Sequence, residues 1–350
     1  MEILMKRVIP IAICSDNNYF MHALTLALSI LDISCSDYFF KFYFCYRNIK
    51  HKNLKIIKEN IEAYPNSEIV FVDLTKETEK FMTVSYINSK SMFDRIFLSD
   101  FVYEDKLLYL DCDMICASDI SELFNQNIDN YYLGVVQDRF VEDFAKNKST
   151  QYIETLPNSN IYKNWEYFIL SFLKLPKITD YFNSGMLLMN LEKIRQDKIK
   201  EKLIAFIIKN QPTPMPDQDA LNYICNGKIK YLSPRFNFVL STLKIFGKND
   251  SYVKKAFDRP VIIHHKFWNT SDFKTGYNKI YKKYFLSIYK NHFILLSDYL
   301  SLKEDIKRTV KPVYYAVNWL KSFFNIFVIC TKFIFTFPQH IYKKCRKIKY

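Results

Sequence analysis

Leu107-Leu108-Tyr109-Leu110 is an apolar run that ends on two carboxylates one residue apart, Asp111 and Asp113. A short apolar run of this kind has the composition of a buried strand. Asp111 and Asp113 then stand where the strand leaves the sheet, the edge at which open α/β sheets bind ligands. Two like charges this close are costly to bury unless a cation neutralises them. A hard divalent metal with oxygen ligands meets that need and keeps positions free for phosphate oxygens. A pair of solvated turn aspartates is the plainer alternative, and the tripeptide alone does not decide between them.

The rest of the chain supplies a sheet for that strand. Residues 8–14, 38–46, 68–73, 131–137, 182–191 and 228–232 carry strand patterning, and 260–264 forms a further apolar run ending in histidine. Helical spacing marks 18–31, 53–64, a stretch near 91–102, and 193–209. This alternation predicts an α/β fold with a largely parallel sheet. Residues 139–178 are polar and aromatic without a clear period, which predicts an insertion or lid. The folded body is expected over residues 1–290, followed by a helical, basic segment over 291–350.

Composition narrows the function classes. The 350 residues, 49% hydrophobic and 25% charged, suit one large α/β domain or two smaller ones. Eight cysteines lie scattered with no C-x-x-C pair, so reduced thiols in a cytosolic setting are expected. The run 8–14 is short, holds Pro10 and leads straight into Ser15-Asp16-Asn17-Asn18, so it reads as a first strand, not a signal-peptide core. Residues 306–350 contain ten Lys or Arg and no acid, leaving the body only mildly basic within a formal net charge of +14. A nucleic-acid-binding domain carries its basic footprint on the folded body, so no nucleic-acid partner is expected. The five glycines are isolated, which excludes both G-x-G-x-x-G and a P-loop. A bound nucleotide diphosphate would have to be held by metal and basic side chains.

Four further clusters could carry chemistry. Asp16-Asn17-Asn18-Tyr19 follows the first strand and could read a base and ribose, or simply cap a helix. Tyr181-Phe182-Asn183-Ser184-Gly185 precedes Met186-Leu187-Leu188-Met189; Asn183 could aim an amide at a sugar hydroxyl while Gly185 permits close backbone approach. A plain turn is equally consistent. Pro216-Asp217-Gln218-Asp219-Ala220-Leu221-Asn222 has normal helix-start chemistry and also gathers acceptors suited to a polyhydroxylated ligand. Pro260-Val261-Ile262-Ile263-His264-His265-Lys266 ends a strand on two histidines and a lysine, groups that suit a metal and a phosphate.

Taken in this order, D-N-N-Y, L-L-Y-L-D-C-D-M-I, Y-F-N-S-G-M-L-L-M-N-L, P-D-Q-D-A-L-N and V-I-I-H-H resemble glycosyltransferase family 8, over roughly residues 8–284. That retaining family includes glycogenin and bacterial lipooligosaccharide α-galactosyl- and α-glucosyltransferases, and the chain is most similar to the bacterial branch. The resemblance implies a GT-A fold, Rossmann-like with a mostly parallel central sheet, that transfers a hexose from UDP-galactose or UDP-glucose using Mn²⁺ or Mg²⁺. It implies that Asp111, Asp113 and His264 hold the metal. Asp16 and Asn18 would contact uridine, and Cys112 counts with them among the donor-binding residues. Arg95 matches the family arginine near the sugar and diphosphate. Asp138, Asn183, Asp217 and Gln218 would line the donor sugar, with Gln218 nearest the anomeric carbon. The family follows its histidine with a glycine-containing loop and K-P-W, whereas this chain has His265-Lys266-Phe267-Trp268. Lys266 is therefore the expected diphosphate lysine, Lys274 the reserve, and His265 an alternative metal ligand.

Residues 306–350 interleave the ten cations with eleven aromatics, and no uncharged stretch exceeds ten residues, 322–331 being followed by Lys332. A spanning helix needs roughly 20 apolar residues, and each central lysine costs about 2.5–3.5 kcal/mol. Aromatics with cations instead suit the interface of an anionic leaflet. The expectation is an enzyme peripheral on the inner face of the cytoplasmic membrane, acting on a lipid-linked saccharide such as lipopolysaccharide core. A non-catalytic adaptor that uses the basic tail on membrane or nucleic acid is the competing expectation.

Overall fold

The computed structural model describes residues 7–264 apart from 35–36, 78, 80 and 82–89. Among the described residues ten strands form two sheets: β1 (Arg7–Asp16), β2 (Tyr38–Arg47), β3 (Ser67–Asp73), β4 (Lys106–Asp111), β5 (Met114–Cys116), β6 (Leu133–Gln137), β7 (Phe182–Asn190), β8 (Ile229–Tyr231), β9 (Phe238–Val239) and β10 (Ile262–His264). The larger sheet has the order β3-β2-β1-β4-β7-β6-β8. All its pairings are parallel except the two made by β7, which runs against β4 and β6. The mostly parallel α/β sheet expected from the sequence is present.

That single reversal builds the site. Parallel strands collect their carboxyl ends on one edge, where Asp16 and Asp111 emerge. Because β7 is reversed, its amino end meets the same edge, with Leu110 opposite Met186 and Gln137 opposite Phe182. Asn183, Ser184 and Gly185 are thereby delivered beside the aspartates. The smaller sheet adds the last piece. β5 leaves directly after Asp113 and pairs antiparallel with β10, setting His264 opposite Met114.

Residue chemistry explains the packing. β1 is buried along seven consecutive residues from Ile9, as befits a central strand covered on both faces. The helix Phe20–Ile33 has no charge before Asp32 and is buried nearly all round. The helix His51–Glu62 is instead amphipathic and buries Asn53, Ile57 and Ile61 at four-residue spacing.

Two expectations change. The single helix expected over 193–209 is two, Leu191–Gln196 and Ile199–Asn210, because Lys198 between them adopts φ 52°. Residues 139–178, expected as an insertion or lid without regular structure, pack into the body. They form short helical pieces that contribute Tyr162, Trp165 and Phe168 to the core, each no more than 2% exposed. Pieces of three to eight residues are too short to display a period, which is why patterning missed them. Trp165 packs edge-on to Phe168 and Tyr181, and its indole N–H donates to the Gln151 carbonyl at 2.8 Å. Trp165→Ala is expected to destabilise the protein by about 3–5 kcal/mol in urea unfolding; a loss below about 1 kcal/mol would return this region to peripheral status.

The predicted boundary near residue 290, the basic segment 291–350, and His265, Lys266 and Lys274 lie outside the described residues. Among the described residues, no helix is long and apolar enough to cross a membrane.

Candidate active site

The two strand-end aspartates and the β10 histidine converge. Asp111, Asp113 and His264 each offer a ligand atom, and these atoms lie within 4.8 Å of one another. His264 Nε2 is 3.2 Å from Asp113 Oδ1. On the other side of the ring, Nδ1 faces Asn237 Oδ1 at 3.0 Å. The Asn237 amide nitrogen is engaged by Asn183 Oδ1 at 2.9 Å, so its oxygen turns to the ring and takes the Nδ1 proton. Nε2 is thus the atom presented to a ligand, in the orientation that supporting carbonyls impose on metal-binding histidines.

Burial pulls the His264 imidazole down, but Asp113 and Asp111 outweigh it and hold the group above its usual value. Burial likewise pushes the Asp111 carboxyl up against the pull of Arg95, and Asp113 adds to the rise. The same acidic field that raises the imidazole favours a cation at this point. Two carboxylates and one imidazole form a donor set suited to Mn²⁺ or Mg²⁺, harder than the thiolate sets that select zinc.

Gly185 closes this cradle from β7. A Cβ there would fall 2.6 Å from His264 Cε1 and 2.9 Å from Asp111 Oδ2. Gly185→Ala must displace one of these groups, and Mn²⁺ affinity is expected to fall about tenfold or more by calorimetry. Unchanged affinity would show that the glycine plays no part in the cradle.

Arg95, in the turn Lys90–Phe97, links the metal-facing and sugar-facing sides. Its Nη2 meets Asp111 Oδ1 at 2.8 Å and its Nε meets Asp217 Oδ2 at 3.2 Å. Nη1 donates to the Ser184 hydroxyl at 2.9 Å, and the guanidinium lies over the Tyr109 ring, 4.6 Å from its centroid. Although burial disfavours its charge, Asp111, Tyr109 and Asp217 raise the pKa of Arg95. It is a fixed cation.

The remaining predicted residues form one hydrogen-bonded group. Asp138 ends β6 and caps the helix Arg139–Lys146, its Oδ1 accepting from the Phe140 and Val141 amides. Its Oδ2 accepts from Asn183 Nδ2 at 3.2 Å and from Gln218 Nε2 at 3.1 Å. Gln218 Oε1 in turn accepts the Ser184 amide at 2.9 Å, and Ser184 Oγ donates to Asp217 Oδ2 at 3.2 Å. Asp217 and Gln218 start the helix Pro216–Ile224, where proline fixes the first turn. Burial raises the Asp217 carboxyl, with Arg95 opposing.

At the β1 end, Asp16 Oδ1 accepts from the Asn18 amide at 2.9 Å and the Tyr19 amide at 3.2 Å, the turn-forming role that competed with ligand binding in the sequence. Asn18 is exposed. Asn17 is the residue that ties this loop down, accepting from Lys50 N and Asn53 Nδ2 at 3.1 and 2.9 Å. Cys112 lies half-buried between the aspartates, and burial pushes its thiol well up, so it acts as a neutral group. Three residues escaped sequence reasoning: Asn237, Ser184 and Tyr109, whose hydroxyl donates to Asp111 Oδ1. Ser184 sits inside a motif already singled out. Asn237 carries no local signal beyond preceding the two-residue strand β9.

The sequence pattern of glycosyl transferase family 8 matches residues 10–272 of the 350. The chain belongs to glycosyl transferase family 8. Among similar proteins is one from Haemophilus influenzae with a provisional glycosyltransferase name, 30% identical over 267 residues, 73% of this chain and 72% of that protein. The lipopolysaccharide 1,2-glucosyltransferase of Escherichia coli K12 is 25% identical over 232 residues, 64% of this chain and 59% of that protein. Two solved structures share the fold. The galactosyltransferase LgtC, in complex with donor and acceptor sugar analogues, superposes with a TM-score of 0.59 at 23% identity, covering 80% of this chain and 96% of that one. The apo bifunctional glycosyltransferase WbbM gives 0.69 at 19% identity over 83% of this chain, which spans only 52% of that protein. The family 8 chain is thus a glycosyltransferase with a GT-A fold, as the resemblance implied.

Proposed function

We propose that this family 8 protein is a metal-dependent retaining hexosyltransferase that moves galactose or glucose from a UDP-sugar to a lipid-linked saccharide. The observation that carries the reading is the convergence of Asp111, Asp113 and His264 beside a buried Arg95. Asp111, Asp113 and His264 would hold Mn²⁺ or Mg²⁺, whose chemistry when bound is to neutralise charge that grows on a departing diphosphate. Arg95, itself buried, lies one hydrogen bond away and adds a fixed positive charge beside the proposed metal. Asp16 and Asn18 at the β1 end suit the nucleoside. Asp138, Asn183, Asp217 and Gln218 suit the hydroxyls of the transferred sugar. The Gln218 amide is locked at both ends, by Ser184 and Asp138, so it presents a fixed dipole to the anomeric region and needs no reorganisation as charge develops.

A lipopolysaccharide-type acceptor is supported by the name of the Escherichia coli K12 relative, a lipopolysaccharide 1,2-glucosyltransferase. Residues 291–350 are proposed as a membrane-association segment distinct from the catalytic body, on the strength of their cations and aromatics alone. Truncation at residue 290 is expected to reduce co-sedimentation with anionic liposomes while leaving transfer to a soluble acceptor. Full sedimentation of the truncated protein would place the anchor elsewhere.

The donor assignment is tested by UDP release from UDP-galactose and UDP-glucose with Mn²⁺ and with EDTA. Release that requires the metal and a saccharide acceptor is expected. No turnover with any UDP-sugar, alongside retained liposome binding, would favour the adaptor.

A further inference from the structure

One buried ion pair lies outside the constellation above. Arg47 is the last residue of β2, and the parallel register sets it directly opposite Asp16 of β1. It is 6% exposed and its partner Asp94 is 0% exposed. The Arg47 guanidinium grips Asp94 Oδ1 through Nε at 2.6 Å and through Nη2. Nη1 donates to the Thr75 carbonyl at 3.0 Å, just beyond β3. Thr75 is itself bound to Asp73 at the tip of β3, and its hydroxyl accepts the Asn48 amide at 3.3 Å. One guanidinium therefore fastens three pieces of chain: the ends of β2 and β3, and the turn Lys90–Phe97.

That turn carries Arg95 immediately after Asp94. Consecutive residues thus make buried ion pairs in opposite senses. Asp94 is held by Arg47 beside Asp16, while Arg95 reaches Asp111 and Asp217. Among the described residues Asp94 Oδ2 has no hydrogen-bond partner, so Arg47 supplies the hydrogen-bonded compensation for this carboxylate. Burial pushes the Asp94 carboxyl up to about 7 even with Arg47 opposing it. Stability does not account for such a pair, since apolar residues of similar volume commonly serve a core as well or better. Geometry does. Two guanidinium donors converge on the one carboxylate oxygen, Oδ1, which sets the direction of approach as well as the distance, and neither a lysine ammonium nor an apolar pair reproduces that.

We infer that the Arg47–Asp94 pair is a positioning device for a nucleoside diphosphate, holding the nucleoside-facing β1–β2 edge at a set spacing from the diphosphate-facing Arg95. This rests on the reading of Asp16 and Arg95 as contacts to the two ends of the donor. A ligand that spans both ends then depends on the pair, and a ligand confined to one end does not.

The test uses the full chain with Mn²⁺ and two variants, the double substitution Arg47→Met with Asp94→Leu, and the single Arg47→Lys should the double fail to fold. Calorimetric affinities for UDP and UMP are compared in whichever variant melts cooperatively. UDP is expected to weaken about tenfold or more and UMP no more than about threefold, because a misplacement of about 1 Å at one end is felt chiefly by the spanning ligand. The KM for the UDP-sugar should rise in step with the UDP affinity. Equal weakening of UDP and UMP, or of neither, overturns the inference, since a purely structural pair would not distinguish them. Wild-type protein that binds neither nucleotide overturns the donor reading itself, and the inference with it, before any variant is made.

Discussion

Asp113→Ala is expected to lower hexose transfer by about 10³-fold or more while the protein still folds. Asp113 is the cleaner of the two aspartates to remove. Asp111 Oδ1 accepts from Arg95 and from the Tyr109 hydroxyl, so truncating it takes from a buried guanidinium one of its two carboxylate partners. Breaking a buried pair in that way costs about 3–5 kcal/mol, and lost activity would be confounded with lost fold. Asp113 stands in the turn between β4 and β5 and faces the His264 imidazole. Its removal takes one of three ligands from the proposed metal and one negative charge from the field that holds it. The midpoint of thermal unfolding should move by no more than about 4 °C, the equivalent of ~1 kcal/mol. Calorimetry should show Mn²⁺ binding weakened beyond measurement. Near-wild-type transfer by this variant would remove the D-C-D tripeptide from the mechanism.

Gln218→Ala should separate turnover from donor binding. The Gln218 side chain is 6% exposed and held between the Ser184 amide and Asp138, so it is rigid before any ligand arrives. In its proposed place near the anomeric carbon, a rigid dipole contributes most where positive charge develops, which is in the transition state. Turnover is expected to fall about 10²-fold or more, with the donor KM within about threefold of wild type. The variant also leaves the buried Ser184 amide without its acceptor, a stability loss of about 1–3 kcal/mol that thermal unfolding will register. A raised KM with unchanged turnover would make Gln218 a uniform binding group and remove it from the chemical step.

Much of this site was legible because its residues sit in runs whose form the sheet dictates. L-L-Y-L-D-C-D has the composition of a buried strand that ends on two charges, and the parallel sheet places such ends at one edge. The histidine was legible for the same reason, closing the apolar run from Val261. Sequence could not show that β7 runs backwards, because an apolar run has no visible direction. That reversal brings Asn183 and Gly185 to Asp111. Asn237 stayed hidden because its role is to orient His264 across 27 residues, with no periodicity to mark it. Residues 139–178 were misjudged for a physical reason as well: helical pieces shorter than a full repeat bury Trp165 and Phe168 without displaying a stripe. Lys266 and Lys274 fall outside the described residues, so the choice of diphosphate lysine rests on sequence alone.

Retaining transfer of a hexose from a UDP-sugar at the Asp111–Asp113–His264 centre is the proposed reaction. It is tested most directly by the anomeric configuration of the product formed from an α-configured UDP-hexose, read from the proton coupling of the new linkage by NMR. An α-linked saccharide, formed with metal and absent in EDTA, is the predicted result. A β-linked product would contradict the account.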